Sequence, residues 1–372
     1  MTSEWRTEPL KGVVSYIAKG IPPAYVEVES ENTVRVLNQK CNREFTISYA
    51  ESRLHDLNKR GVPQEKYLRT DDILINSTGT GTAGRIAQLK TVPCPTIVDG
   101  HMIVLRANEK VTPHYLGYFL KAQQAFVLQL DEGSTGQTEL NRSRLLAEIK
   151  VSYPVSLKAQ QAITSILTAF DERIAINKTI NHHLEQIGQT FFTEFCNEGE
   201  NALLSDLLTI CYGKDHKRLS NGEIPCYGSG GVMRYVDGAI YNDESVLIPR
   251  KGSLNNVFYI NEPFWTVDTM FYTHMTRPNV AKFVYFTVRN LDLAGMNVGS
   301  AVPSMTTTVL NALEIVLPSN ENLAKFEEIV SPIFLQMQAN NTESAHLAVM
   351  RDTLLPKLMS GELSVADLGD AK

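Results

Sequence analysis

The chain states one pattern twice, and that duplication limits its fold more than any other feature. At a constant offset of 163 positions, Ile163, Ile166, Ile174, Asn177, Thr179, His183 and Leu184 meet Phe326, Ile329, Met337, Asn340, Thr342, His346 and Leu347. One long helix is therefore written twice. Ahead of each copy stands a Gly-Ser turn, then an apolar strand and a proline: Gly133, Ser134, Ile149, Val151 and Pro154 against Gly299, Ser300, Ile315, Leu317 and Pro318. Farther upstream Ile97-Val98-Asp99 answers Thr266-Val267-Asp268 and Ile73-Leu74-Ile75 answers Val246-Leu247-Ile248, while the offset drifts from 173 down to 163. Small insertions fall in the globular parts and none in the helices, so the repeating unit is a whole domain plus a helix.

A length of 372 residues allows two domains with a core each, and 43% hydrophobic with 20% charged content suits an ordinary soluble globular chain. No basic start precedes an apolar core at the N-terminus and no run of eighteen apolar residues occurs, which predicts a cytoplasmic protein without membrane contact. The five cysteines, Cys41, Cys94, Cys196, Cys211 and Cys226, form no C-x-x-C pair, so free thiols are expected rather than disulfides or zinc.

The formal charge of −6 is unevenly spread. Residues 1–157 hold 19 Lys and Arg against 17 Asp and Glu, residues 200–318 hold 9 against 11, and the helical segments and tail hold 7 against 13. The acidity lies on the helices. Bulk charge gives a nucleic-acid reading no help, although a neutral domain can hold DNA if its basic side chains share one face.

From Lys158 to Phe195 there is no proline and one glycine, Gly188. With Ile163 at heptad position a, Phe170, Asn177, Leu184 and Phe191 follow at a, Ile166, Ile180 and Ile187 at d, and Leu167 and Ile174 widen the stripe at e. The second copy reads Phe326, Ile333, Asn340, Leu347 and Leu354 at a, Ile329 and Met350 at d, and Val330, Met337 and Leu358 at e. Pro332 should kink that helix or mark its start. Each seam carries one asparagine at a matching a position, Asn177 and Asn340, a residue type that gives up stability to fix register when buried. The other reading leaves both exposed where the helices splay. A helix of 38 residues spans roughly 57 Å, the length of a spacer.

If the first helix leads from one globular domain to the other and the second buries its stripe on the first, the pair is antiparallel. The expected fold class is α+β: two similar mixed α/β domains separated by two long antiparallel helices forming a coiled coil, a pseudo-two-fold internal repeat. Two like surfaces at a fixed separation suit a long regular ligand read at two places, and duplex DNA is the natural candidate. The globular halves read as strand-rich, with strands at Thr33 to Leu37, Ile73 to Ile75, Ile97 to Leu105, Ala239 to Tyr241, Val246 to Ile248 and Val257 to Ile260, and helices at Pro113 to Leu130 and Pro278 to Leu293.

Several stretches imitate catalytic motifs. Gly79-Thr80-Gly81-Thr82-Ala83-Gly84 fits G-x-G-x-x-G, yet Arg85 and Ile86 stand where a P-loop needs Lys and Ser or Thr, and the residues after Gly84 read as a strand where phosphate binding needs a helix. A tight strand-to-strand turn, placed at DNA phosphate, fits better. Ile21-Pro22-Pro23-Ala24-Tyr25 lacks the polar residue and the aromatic that flank the two prolines of amino-methyltransferases. His182, His183 and His346 lie on helices, where adjacent side chains diverge and share no metal. Asp99 and Asp268 recur, but lone carboxylates beside strands more often fix a turn. The residues point to no active site.

The order of domain, long helix, domain, long helix resembles the specificity subunit of Type I restriction-modification systems. So does Gly133-Ser134-Thr135-Gly136-Gln137, then Asn141, then Ile149 to Pro154, with Leu157-Lys158-Ala159-Gln160-Gln161-Ala162-Ile163 opening a helix; the family often has an acidic residue where Gln160 stands. The phrase Leu354-Leu355-Pro356-Lys357-Leu358-Met359-Ser360-Gly361-Glu362-Leu363 is similar to the family's ending. The second copy departs, with Pro303 and Ser304 after Gly299-Ser300 and Asn320-Glu321-Asn322 in place of the Gln-Gln opening.

The resemblance covers essentially the whole chain and implies a non-catalytic DNA-recognition subunit. Its target-recognition domains would be residues 1–157 and 199–318, its spacer helices 158–198 and 319–360, and its tail 361–372. Each domain would read one half of a bipartite double-stranded target, the helices acting as a ruler. The chain would bind no cofactor itself. It would dock two methylation subunits carrying S-adenosylmethionine and, in the full complex, two restriction subunits using ATP and Mg.

The loop residues expected at DNA are Ser77, Thr78, Thr80, Arg85, Ser134, Thr135, Gln137, Asn141, Arg142 and Arg144 in half one. In half two they are Lys214, Lys217, Arg218, Tyr227, Ser229, Arg250, Lys251, Asn255, Asn256, Ser300 and Ser304. Arg suits guanine, Asn suits adenine and Lys neutralises phosphate. Any one alone reads as a solvated loop residue; the proposal lies in the set. A structural adaptor holding two protein partners apart would share the duplication, but its loops should be apolar rather than rich in Ser, Asn and Arg.

Overall fold

A computed structural model describes residues 4–79, 81–132, 139–296 and 303–365. The chain forms two units, Met1–Ala175 with Ser344–Lys372, and Ile176–Glu343. Each long helix is divided between them.

In the first unit the strand Ile73–Asn76 is buried on both faces, and its alternating side chains feed two different cores. Ile73 and Ile75, with Ile103 and Leu105, join Tyr115, Leu116 and Phe119 of the helix Pro113–Ala122, whereas Leu74 joins Val104, Leu37 and Val98 on the other side. This is the period of two expected of a pleated middle layer. Ile73–Asn76 belongs to an antiparallel sheet ordered Val14–Lys19, Met102–Ala107, Ile73–Asn76, Ile86–Gln88. A second sheet runs Thr96–Val98, Thr33–Leu37, Arg53–Asp56, Tyr25–Val26, its first pair parallel, and Trp5–Pro9 pairs with Lys150–Pro154.

The second unit repeats this plan. Its four-stranded sheet is Leu208–Tyr212, Met270–Met275, Ser245–Pro249, Phe258–Ile260, and Glu200–Leu203 pairs with Glu314–Leu317. Val246 and Ile248 face the helix Ala281–Arg289, while Leu247 faces Phe264, Met270 and Tyr272. The other sheet has three strands, Gly231–Val236, Ile224–Gly228 and Trp265–Thr266. Among the described residues it has no counterpart of Tyr25–Val26, so Gly231–Val236 forms an edge.

Several expected boundaries move for local reasons. Ile97 to Leu105 divides at Asp99, whose carboxylate accepts from the His101 N–H at 2.9 Å and folds a turn. Pro113 starts its helix as expected, because Thr112 caps it by accepting from the Tyr115 N–H, but that helix ends at Ala122. The helix of half two begins at Ala281, since Asn279 sits at φ 61°, outside the helical region. Ala239 to Tyr241 makes no strand: Tyr241 forms an isolated bridge to Phe264, and the Ile240 N–H donates to the Phe264 carbonyl at 2.8 Å.

The long helices are Leu157–Phe195 and Asn320–Ser360. Pro332 neither starts nor interrupts the second; it is exposed, where water can serve the carbonyl left without an N–H. The first helix is anchored by Gln160, whose fully buried amide accepts from the Thr112 N–H at 2.7 Å and donates to the carbonyls of Lys110 and Pro154, both at 2.9 Å.

Within the first unit Ile163 and Leu167 pack with Leu355, Leu358 and Met359, and Asp171 pairs with Arg351 at 2.5 Å. The Tyr118 hydroxyl donates to Asp171 at 2.6 Å; burial, with Asp171 alongside, raises its pKa well above the ordinary tyrosine value, so it stays a donor. Within the second unit the Asn177 amide donates to Glu343 at 2.8 Å and to the Asn340 carbonyl at 3.3 Å, Asn181 donates to the Met337 carbonyl at 3.1 Å, and Phe192 meets Phe326 edge to face. Partners descend the second helix as they ascend the first. Both Asn177 and Asn340 are buried, and Asn340 donates to Asn181 at 2.7 Å. Gly188 stands where a Cβ would lie 2.7 Å from the Phe286 ring, so this glycine admits the aromatic cluster.

The apolar rows differ from expectation in one respect. The a positions hold, with Ile163 and Phe326 buried and Phe170, Leu184, Phe191, Ile333, Leu347 and Leu354 half-buried. The second inward row falls at e, with Leu167, Gly188, Val330 and Leu358 buried and Ile174 and Met337 half-buried, whereas Ile180, Ile187 and Met350 at d are exposed and Ile166 and Ile329 half-buried. Spacings of three-then-four and four-then-three both find apolar residues here, so hydrophobicity alone leaves the choice open.

Gln160→Glu exchanges a donor to two carbonyls for an acceptor facing them. A loss of about 2–3 kcal/mol is expected on the cost of an unsatisfied buried group, read as a lower denaturant midpoint; an unchanged midpoint would remove this account of the anchor.

Candidate nucleic-acid interface

One end of each sheet carries the same backbone frame. Where Ile73–Asn76 ends, the Ser77 N–H donates to the His101 carbonyl at 2.8 Å and the Ser77 carbonyl accepts from the Leu140 N–H at 2.7 Å. Where Ser245–Pro249 ends, the Arg250 N–H donates to the Thr269 carbonyl at 2.8 Å and the Arg250 carbonyl accepts from the Met305 N–H at 2.9 Å. The two turns involved come directly after Asp99 and Asp268. A third strand end closes the frame: Gly20 donates to the Met102 carbonyl and Gly213 to the Met270 carbonyl. At either glycine a Cβ would stand 2.0 Å from a carbonyl oxygen, of Asp99 or of Val267, so no other residue fits.

In half one the frame supports the turn Gly79 to Gly84. Gly79, Gly81 and Gly84 have φ of 106°, 72° and 77°, and the chain continues into Ile86–Gln88, paired back on Ile73–Asn76. The turn joins strand to strand, as expected of it, and no helix begins there. Arg85 donates to the Gly81 carbonyl at 3.0 Å and bridges the loop. Beneath it, the buried Asn42 amide donates to Asn76 and to the Arg85 carbonyl at 3.1 and 2.9 Å. Thr78 accepts from Gln39 at 2.5 Å and pairs with the His101 ring at 2.9 Å. Asp99 is buried beside them, and burial raises its pKa above the usual carboxylate range against the pull of the His101 N–H.

The remaining expected residues of half one take different places. Ser77 is buried and belongs to the frame through its backbone. Asn141 caps the helix Arg142–Glu148, accepting from the Ser143 and Arg144 N–H groups. Arg142 is exposed, and Arg144 lies along the helix against Glu148 at 2.7 Å. Thr80, Ser134, Thr135, Gln137 and, in half two, Ser300 lie outside the described residues.

In half two Lys214, Lys217, Arg218 and Lys251 are exposed. Arg250 is half-buried: it donates to the Asp268 carbonyl at 3.1 Å and its guanidinium lies 5.4 Å from the centre of the Tyr212 ring. Asn256 ties this loop to the Ser229 carbonyl at 2.9 Å, Asn255 accepts from the Ala294 N–H, and Ser304 bridges to Lys251. Tyr227 is buried among Leu247, Phe264 and Tyr272. Two exposed residues of half two escape a reading that looks only for polar side chains in loops: Tyr212, 52% exposed, and Met233, 58% exposed. Both sit on strands, but Tyr212 shares its face with the inward Leu208 and Ile210, and Met233 falls where the pairing of Gly231–Val236 is irregular, so alternation marks neither as exposed.

No helix of the described residues is long and apolar enough to cross a membrane, and among them no group of His, Cys, Asp and Glu could hold a metal ion. Asn42→Ala should loosen the Gly79–Gly84 turn without unfolding the unit, speeding amide exchange at Asn76 and Gly84 by tenfold or more, roughly the worth of one buried hydrogen bond. Unchanged exchange would mean that the turn holds itself.

The family model described as "Type I restriction modification DNA specificity domain" matches residues 2–186 and 200–347. The chain is 25% identical over 311 residues to the Type I restriction enzyme MjaIX specificity subunit of Methanocaldococcus jannaschii, covering 70% of this chain and 71% of that one. It is 32% identical over 92 residues to the Type I restriction enzyme HindI specificity subunit of Haemophilus influenzae, covering 25% and 18%. The crystal structure of a Type I restriction-modification S subunit from M. genitalium shares the fold with a TM-score of 0.56 at 16% identity, covering 96% of each chain.

Proposed function

The chain belongs to the family of Type I restriction-modification specificity subunits, which recognise DNA and carry no catalysis of their own, and from that membership we propose that each half reads one half of a bipartite duplex target. The observation that carries this reading is the frame built twice from backbone hydrogen bonds, with Ser77 at one position of it in half one and Arg250 at the equivalent position in half two. A fixed frame with different side chains is what two readers of different sequences require. Backbone contacts hold the geometry; the exposed side chains specify. In half one the exposed or half-exposed candidates are Thr78, Arg85 and Arg142, to which the sequence adds Thr80, Ser134, Thr135 and Gln137. In half two they are Lys214, Lys217, Arg218, Arg250, Lys251, Asn256 and Ser304, to which the sequence adds Ser300.

The long helices form an antiparallel coiled coil in this reading and set the unread gap as a ruler, with Asn177 and Asn340 fixing the register. Ile176, Ile180 and Ile187 support a docking role for the first helix: they are 50%, 37% and 45% exposed and recur at helical spacing on one side. We assign that side to the methylation subunits, two per complex and carrying S-adenosylmethionine, with two restriction subunits using ATP and Mg in the full assembly.

Inserting four residues at matched positions of both helices should change the spacing between the recognised half-sites and leave each half-sequence unaltered. Selection from random bipartite duplexes by the chain with its methylation subunit reads this directly, and unchanged spacing would dispose of the ruler.

Replacing Arg250 and Lys251 by Ala should relax preference in one half-site by roughly 1–3 kcal/mol for a lost bidentate contact and flatten the salt dependence. Equal relaxation of both half-sites would contradict the assignment.

A further inference from the structure

The frame of half one carries an exposed histidine whose other polar groups are already committed. The His101 N–H donates to the Asp99 carboxylate at 2.9 Å, its carbonyl accepts from the Ser77 N–H at 2.8 Å, and its ring Nδ1 pairs with the Thr78 hydroxyl at 2.9 Å. Nε2 is left over, and no described residue bonds it.

The hydrogen bonds behind the ring decide which nitrogen holds its proton. The Gln39 amide donates to the Thr78 oxygen at 2.5 Å, so that hydroxyl keeps its own proton for another partner, and among the described residues Nδ1 is the acceptor it meets. A neutral imidazole that accepts at Nδ1 carries its proton on Nε2. The relay starts at the buried middle strand, whose last residue, Asn76, donates from its amide to the Gln39 carbonyl at 3.2 Å. His101 is thus held at its backbone and at one ring nitrogen, with a single donor free.

In half two Thr269 has the place of His101 in the frame, its carbonyl accepting from the Arg250 N–H as that of His101 accepts from the Ser77 N–H. There the nitrogen donor stands at the strand end instead, on Arg250, tied to the Asp268 carbonyl. Each frame offers one held nitrogen donor, from a different position.

We propose that His101 determines base choice in the half-site read by half one, donating from Nε2 to the carbonyl at the middle of a base pair in the major groove, guanine O6 or thymine O4. The inference rests on the reading of this chain as a bipartite DNA-recognition subunit. Adenine and cytosine put an amino group where guanine and thymine put that carbonyl, so a nitrogen that only donates meets a second donor there. Thr78 and Gln39 act through the ring as positioning residues. With the proton on Nδ1 the same ring would accept, and the preference would invert.

The test uses the chain in complex with its methylation subunit and the duplex it selects from a random bipartite pool. Each position of that duplex is then presented as all four base pairs to the parent and to His101→Ala and Thr78→Val. His101 is exposed and Val has the shape of Thr, so neither replacement opens a core. His101→Ala should lose a preference of roughly tenfold at one position of one half-site, about the cost of leaving a donor unpaired. The lost preference should group G·C with T·A against C·G and A·T, the order of acceptor and donor across the groove. Thr78→Val should weaken the preference at that same position, because a ring freed at Nδ1 accepts as well as donates, whereas a merely structural role would weaken every duplex alike.

No change in His101→Ala, loss spread over both half-sites, or a lost preference that separates purines from pyrimidines or G·C from A·T pairs would each overturn the contact while bipartite recognition stands. A Thr78→Val profile identical to the parent's would overturn the proton assignment. Failure of the parent to select any duplex would overturn His101 and the bipartite reading together.

Discussion

Burial of one strand on both faces is the constraint on which the rest of each half depends. Ile73–Asn76 and Ser245–Pro249 sit between a helix-covered core and a second sheet, so their register cannot slip by one residue without exchanging the contents of two cores. A strand held this way delivers the residue at its end to a fixed place. Ser77 and Arg250 are those end residues. The backbone bonds around them repeat in both halves although the side chains do not.

That separation of frame from side chain explains why the halves can diverge. The stretch from the frame glycine to the middle strand runs from Gly20 to Ile73 in half one and from Gly213 to Ser245 in half two, and the longer stretch includes the added edge strand Tyr25–Val26. Material is added at the margin of the second sheet. The central strand and its turn are spared.

Much of the architecture was legible because it is periodic. The repeated helix, the alternation at Ile73-Leu74-Ile75 and Val246-Leu247-Ile248, and the turn at Gly79 to Gly84 each carry a signal longer than one residue. What was illegible depends on placement in space. Whether the second inward row of the helices runs through Ile166, Ile180 and Ile187 or through Leu167, Ile174 and Gly188 turns on what faces each side, and both rows are plausible on hydrophobicity. Ser77 and Tyr227 look like surface polar residues until the sheets close over them. Met233 looks like core until its strand proves to be an edge. Glycine was the least legible type: Gly20, Gly188 and Gly213 are required by neighbours more than fifty residues away in sequence.

The absence of insertions from the helices has a physical basis in how they are tied to the domains. Apolar packing is indifferent to rotation by itself, but each unit adds directional bonds to it. In the first unit Tyr118 donates to Asp171, which also holds Arg351; in the second, Tyr285 donates to Glu185, which also holds Arg289. Burial and the adjoining carboxylate keep both tyrosine hydroxyls protonated, so each lock is a donated bond to an anion balanced by a cation. Removing one partner would strand a half-buried charge, a larger loss than the pair contributes when intact. One residue added between Ile163 and Asp171 would turn the lock by about 100° away from its tyrosine, and the same addition beyond it would carry Asn177 off Asn340. The domain core, the carboxylate lock and the asparagine contact lie in series along one helix. A change in the length of one helix alone breaks at least one of them, which is why the offset of 163 persists along the helices while the globular parts drift.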